Sequence, residues 1–234
     1  MAECREFTIA GRCKSLILQR INEKAMITIR EETAADYRAV EELTREAFWN
    51  VYRPGCTEHF VLHKYRDDEA FVKPLSLVLE EDGRMVGHVM FSQAEVRCAD
   101  GRLLPIMTFG PISIHPDCQR RGYGLKLLSH ALAKARTLGC KGVCMEGNID
   151  FYKHAGFVVA STLGVHYHDM PHSEEVPFFL AQELEPGYFA GIDGEYMPPK
   201  GYFVAEEHPD EFAAYESTFP RREKLRLPTQ LFEE

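Results

Sequence analysis

The sequence predicts an α/β fold (α+β) with a mixed, mostly antiparallel central sheet flanked by helices. Three observations carry that expectation. Asp82-Gly83 and Asp100-Gly101 each stand between apolar runs, and Asp-Gly in that setting is a strong hairpin signal. Leu125, Leu128, Ala131, Leu132, Ala135 and Leu138 recur at spacings of three and four, which gives a helix one apolar stripe. A short apolar strand enters that helix through a glycine-bearing loop, and a strand, a helical turn and another strand follow it.

The elements follow in order. Met26 to Arg30 alternates like a strand. Thr33 and Asp36 form a capping pair for a helix with Tyr37, Val40, Leu43, Ala47, Phe48 and Val51 on one face. A shorter helix is expected from about Glu58 to Arg66. Strands from Leu75 to Glu80 and from Arg84 to Phe91 share the first hairpin, and the second leads into a strand ending at Ile114. Gly139 stands where the C-terminal cap of the striped helix belongs. Lys141 to Glu146 reads as a strand and Gly147 to Asp150 as a turn. Phe151 to Ala155 makes a helical turn stopped by Gly156, and Phe178 to Glu183 is a late strand.

Most of the chemistry sits between Phe109 and Gly124. A strand ending in Ile114-His115-Pro116 gives way to Gln119-Arg120-Arg121-Gly122-Tyr123-Gly124, which opens into the helix. The first turn of a helix leaves backbone N–H groups without partners and carries the positive end of the dipole. Glycines there let a ligand approach the backbone, so the loop is suited to phosphates, with Arg120 and Arg121 adding charge. It lacks the Lys-Ser/Thr ending of a nucleoside triphosphate loop and the glycine order of a dinucleotide fold. A plain solvated turn is the alternative.

The spacing Gln-x-x-Gly-x-Gly after that strand resembles the acetyl-CoA pyrophosphate loop of the GNAT superfamily of N-acetyltransferases. Phe151-Tyr152-Lys153-His154-Ala155-Gly156-Phe157 resembles the family's Phe-Tyr-x-x-x-Gly-Phe element. The order of elements matches too, and the resemblance covers about Met26 to Leu184. Phe109 to Pro116, Leu62 to Arg66, Glu183 to Tyr188 and Phe219 to Lys224 resemble a poorly characterised bacterial branch with a C-terminal extension.

The resemblance implies a GNAT fold, acetyl-CoA as cosubstrate with no metal, and direct attack of an amine on the thioester. Backbone groups of Ile112, Ser113 and Ile114 would pair with the pantetheine arm. Gln119, Arg120, Arg121, Gly122, Tyr123, Gly124 and Leu125 would hold the pyrophosphate, and Asn148 completes the cofactor-binding set. Tyr152 is the expected general acid, with an ordinary phenol pKa of about 10. Glu146 is the expected base and His88 the reserve. Each has a plainer reading: a packed aromatic, a carboxylate capping the Asn148 turn, and a satisfied core histidine. A non-catalytic acyl-CoA sensor or interaction module is the alternative function.

A chain of 234 residues with 45% hydrophobic content can bury one core, and no run reaches the roughly 18 apolar residues of a membrane span. Seven cysteines without metal-like spacing suggest reduced thiols and a cytoplasmic protein. Residues 1–25 read as an N-terminal extension of unknown role, with a helix from Ser15 to Lys24, residues 26–184 as the acetyltransferase domain, and residues 185–234 as a C-terminal extension packed on it. The whole net charge of −9 lies in residues 170–234, which carry 14 acidic and 5 basic side chains. That argues against nucleic acid as a partner. It could suit a cationic amine, small or on a peptide, but a merely solvated face is the preferred reading of the acidity.

The extension holds Tyr188, Phe189, Tyr196, Tyr202, Phe203, Phe212, Tyr215, Phe219 and Phe232, too many aromatics for a disordered tail. It is expected to wall the acceptor cleft, with Pro209 to Thr218 as its one helix. A homodimer interface is the other use for those rings. His166, His168, Asp169 and His172 lie within seven positions, yet nothing nearby completes a metal set, and a substrate-lining loop is the preferred reading.

Overall fold

The computed structural model describes residues 25–231, so the expected helix from Ser15 to Lys24 and the ring of Phe232 lie outside the described residues. Hairpin chemistry builds the first half. β1 (Ile27–Glu31) pairs antiparallel with β2 (Leu77–Glu81), β2 with β3 (Arg84–Cys98), and β3 with β4 (Leu103–Ile114). Asp82 and Gly83 turn the first hairpin with φ of 51° and 80°, the left-handed values a tight two-residue turn requires.

Two helices precede β2: α1 (Tyr37–Phe48) and α2 (Glu58–Tyr65). The expected capping pair is present, since Thr33 donates its N–H (2.8 Å) and hydroxyl (2.7 Å) to Asp36 Oδ2. α3 (Tyr123–Thr137) follows β4 and ends at Gly139, whose φ is 88°. β5 (Gly142–Glu146) then runs parallel to β4; after α4 (Ile149–Tyr152), β6 (Val158–Val159) and β8 (Phe179–Glu183) complete the order β1-β2-β3-β4-β5-β8-β6, with β7 (Val165–His166) off this path.

Alternate residues of a strand face opposite sides. On β2, Leu77 and Leu79 join the cluster under α3 with Leu127, Leu128 and Ala131, whereas Val78 packs with Val40, Phe60 and Leu62 of α1 and α2. The sheet therefore lies between two helical layers.

The extension is richer than the sequence suggested. Besides α6 (Pro209–Glu216), it forms α5 (Val204–Glu207) and β9 (Gly194–Met197). β9 pairs antiparallel with the far end of β3 from Glu95 to Cys98 and parallel with β7. Gly194 hid it: it lacks a side chain where β9 crosses β3, and a Cβ there would fall 2.6 Å from Val96, so close packing dictated a residue of poor strand propensity. Phe189 and Tyr196 enter the core beside Phe179, while Tyr202, Phe212 and Tyr215 pack against α2. Beyond α6 the chain wraps α1. Phe219 is buried beneath the Arg38 guanidinium at 3.6 Å, and the Trp49 indole N–H donates to Glu223 O at 2.9 Å.

The strongest polar tie is Arg45 to Glu216 at 2.6 Å, with side chains 5% and 18% exposed. His59 also bonds Glu216, at 2.8 Å. Burial would raise the Glu216 carboxyl, but the hydrogen bonds from His59 and Arg45 outweigh it and hold the group at about 2. Burial lowers His59. Its bond to Glu216 at neutral pH is therefore a donated ring N–H, and Arg45 supplies the charge.

His88 is a correction. It lies on β3 wholly enclosed, with Nε2 on Ser76 Oγ at 3.0 Å, and Ser76 donates to Glu32 at 2.7 Å. Burial, reinforced by Arg66, depresses it to about 3. An imidazole sealed in the interior and bonded to a serine cannot take a proton from a substrate.

Two expected outcomes follow. Glu216→Ala strands the buried Arg45 cation and should cost roughly 3 kcal/mol, lowering the melting temperature by roughly 6–12 °C in a thermal scan. His88 is neutral when folded and protonates near 6.5 when unfolded, so its contribution to stability is present above that pH and lost as pH falls toward 3. Denaturant titrations at pH 7 and pH 5 should show a smaller loss in His88→Gln than in the natural protein; equal losses would exclude this origin.

Candidate active site

β4 and β5 meet at one register point, Met107 opposite Val143. β4 continues to Ile114 against β3, while β5 turns away to pair with β8. A wedge opens between the two parallel strands from Thr108 onward. Phe109, Tyr152 and Phe157 close its floor, with ring centroids 5.9 Å apart from Phe109 to each partner.

The loop from Gln119 to Gly124, expected to hold phosphates, caps one end of the wedge. Gln119 donates its side-chain amide to Ile114 O at 3.1 Å, tying the loop to the last residue of β4. Arg120 and Gly122 adopt φ of 59° and 81°, and left-handed residues in such a turn point successive N–H groups to one side, forming an anion cradle. Among the described residues the N–H groups from Arg120 to Leu125 have no acceptor, at the positive end of the 15-residue α3. Arg121 folds back along the loop: it pairs with Glu81 at 3.4 Å and donates to Asp117 O at 3.0 Å, with its side chain still half-exposed. Tyr123 donates its hydroxyl to the same Glu81. Arg120 is exposed as well.

Tyr152 ends α4 with its ring laid over Gly147, where a Cβ would fall 2.3 Å from the ring. Its hydroxyl has no hydrogen-bond partner among the described residues. Burial, with a smaller push from Tyr52, raises its pKa, which corrects the expectation of an ordinary phenol: the group stays protonated at any working pH. Asn148 caps α4 by accepting from Asp150 N at 2.8 Å, which leaves its side-chain amide N–H groups for a ligand.

Glu146, at the end of β5, accepts from the Tyr167 hydroxyl at 2.9 Å. It does not cap the Asn148 turn. Protein crowds the carboxylate while one side stays open to water. Desolvation raises its pKa, opposed by the Tyr167 bond and by His168. Ile112, Ser113 and Ile114 lie along the wedge edge of β4. The Ser113 side chain turns inward to Thr44 at 3.0 Å, so only its backbone can serve a ligand.

The sequence named Tyr196 and Tyr202 among the rings of the extension but not their partners, and it missed Asp193 altogether. Tyr202, from the extension, donates to Gly110 O at 3.1 Å beside Ser92 at 3.5 Å. Tyr196 packs on Phe179 at 5.0 Å and reaches Thr108. Asp193 bonds His172 at 3.0 Å and pairs with His166 at 3.2 Å. No local pattern marks these partners, because each meets its target across a long stretch of chain.

The comparisons agree with this geometry. The sequence pattern of the acetyltransferase (GNAT) family matches residues 38–157. An uncharacterized N-acetyltransferase of Escherichia coli (strain K12), YjhQ, is 30% identical over 92 residues, 39% of this chain and 50% of that protein; the chain thus spans half the length of this curated relative. Among solved structures, the GNAT family N-acetyltransferase YhbS of Escherichia coli, in complex with CoA, has a TM-score of 0.66 at 20% identity over 77% of this chain and 94% of that one. A GNAT family acetyltransferase of Brucella melitensis, in complex with acetyl-CoA, has a TM-score of 0.60 at 25% identity over 76% and 98%. With more than half its length matched by the family pattern, and the wedge, loop and tyrosine arranged around it, this chain belongs to the acetyltransferase (GNAT) family.

Proposed function

We propose that the protein transfers an acetyl group from acetyl-CoA to a primary amine by direct attack. The observation that carries the reading is the wedge, which opens between β4 and β5 beside six amides, leading into α3, that have no acceptor among the described residues. An extended thiol arm ending in a pyrophosphate suits that shape, with the anion on the amides and the arm along Ile112 and Ser113. The relative from Brucella melitensis, in complex with acetyl-CoA, supports the choice of cosubstrate.

In this mechanism the amine loses its proton to Glu146, directly or through water, and its nitrogen attacks the thioester carbonyl. The C–N bond forms, the C–S bond breaks, and the departing sulfur takes a proton from Tyr152. A raised carboxylate pKa makes Glu146 a stronger base; burial keeps the Tyr152 proton in place for the departing sulfur while making the phenol a weaker acid than a free one, so the developing thiolate must drive the transfer. Tyr196 and Tyr202 bring the extension against Thr108 and Gly110 at the wedge. A wall in that position favours a small amine, or one presented on a narrow peptide, over a folded protein surface. Aromatic faces with a carboxylate also suit a cationic acceptor.

Gly124→Val should abolish acetyl-CoA binding in calorimetry while the melting temperature holds, because a Cβ there lies 3.3 Å from Phe151, a contact the ring can yield to. Undiminished binding would reject the loop assignment. Tyr152→Phe should lower kcat by about 10² or more; acetyl-CoA binding with no CoA release against any amine would instead leave an acyl-CoA sensor. The base works deprotonated, so activity should fall below a pKa lying above the ordinary carboxylate range, and Glu146→Gln should erase that acidic limb.

A further inference from the structure

His166 ends β7, and six residues later His172 comes back to it, with the imidazole rings stacked 4.0 Å apart and 7° from parallel. Asp193 arrives from the turn before β9. One carboxylate oxygen, Oδ1, meets both rings: Nδ1 of His172 at 3.0 Å and Nε2 of His166 at 3.2 Å. The donor atoms of all three lie within 4.8 Å of one another. We propose that His166, His172 and Asp193 form a binding site for a divalent transition-metal ion of the zinc class, which fastens the C-terminal extension to the loop carrying Tyr167.

The donor set is two imidazoles and a carboxylate, which suits zinc and its borderline neighbours rather than calcium or magnesium. Zinc bonds to nitrogen and oxygen are about 2.0–2.2 Å, so tetrahedral donors stand roughly 3.3 Å apart. The observed 3.0 and 3.2 Å need little adjustment. An ion lies near the plane of each ring that binds it, so the parallel stack must open. His172 can do this, since its side chain is 45% exposed on a loop, whereas His166 is 15% exposed and fixed in a strand.

The backbone beneath is firm. Val165 and His166 pair with Gly194 and Glu195, and Gly194 N donates to Gly164 O at 3.0 Å. Asp193 O accepts from Ala99 N at 2.8 Å, and Glu195 accepts from Asp169 N at 2.9 Å. Two donors are thus held by chain pairing, and water can fill the remaining coordination position.

Tyr167 follows His166 directly and bonds Glu146 at 2.9 Å. An ion on His166 would stiffen the strand end from which that hydroxyl is aimed. The site itself stands apart from the acetyl-transfer reading, so either can fail without the other.

The test uses the full chain, stripped with a chelator and titrated with Co(II), then with Zn(II) in competition. One equivalent of Co(II) should give the visible absorption of a four-coordinate nitrogen–oxygen site. Zn(II) should displace it and raise the melting temperature. Asp193→Asn and His172→Asn should each weaken binding by more than roughly 10-fold while the metal-free proteins melt near the natural one. His172 is exposed, so its variant keeps the test valid if Asp193→Asn folds poorly. Three results would overturn the proposal: no saturable binding, binding equal in both variants and the natural protein, or a sulfur-to-cobalt charge-transfer band assigning the ion to cysteines.

Discussion

The divergence of two parallel strands is the constraint on which the rest depends. β4 cannot follow β5, because β3 holds β4 from Leu103 to Ile114 and β8 holds β5 along its full length. Each strand spends its pairing on an outer neighbour, and the inner edges separate after Met107 and Val143. Left alone, such a gap would expose backbone amides to water at the centre of a sheet. Rings fill the bottom instead: Tyr152 sits between Phe109, Phe151 and Phe157. Gly147 has no side chain because that ring occupies its place.

The extension answers the other side. Its acidity looked in the sequence like a solvated face, but several of its carboxylates have partners on the core: Glu216 with Arg45, Glu206 with Arg53, Glu211 with Lys64, and Glu185 with Lys141. Most are exposed and worth at most about 1 kcal/mol each. What holds the segment is burial of Phe189, Tyr196 and Phe219, together with β9 pairing. Among these four pairs Arg45–Glu216 is the most sheltered.

How much was legible follows the range of each interaction. The helices, both hairpins, the phosphate loop and the Tyr152 element depend on neighbours in sequence, and the sequence placed them within a few residues. β3 runs on to Cys98 where a strand to Phe91 was expected, because its far half is stabilised by β4 and β9. β9 was invisible for the same reason. His88 misled because a histidine on a central strand reads alike whether it faces a cleft or the interior; Ser76 and Glu32, which decide it, are distant in sequence. Asp193 was missed because the window around His166 and His172 does not contain it.

Glu81 shows how such a distant residue governs the site. It ends β2, yet it receives the Tyr123 hydroxyl and the Arg121 guanidinium from the phosphate loop. The loop is thereby pinned to the sheet edge at both residues flanking Gly122. The same anchoring sets Arg121, still half-exposed, beside Arg120, the backbone amides and the end of α3, which together make the loop positive. Amides fixed in a rigid turn reward an anion of one shape, whereas two mobile guanidinium groups would attract any anion. A carboxylate forty residues upstream thus fixes the position of one of the loop's two guanidinium groups.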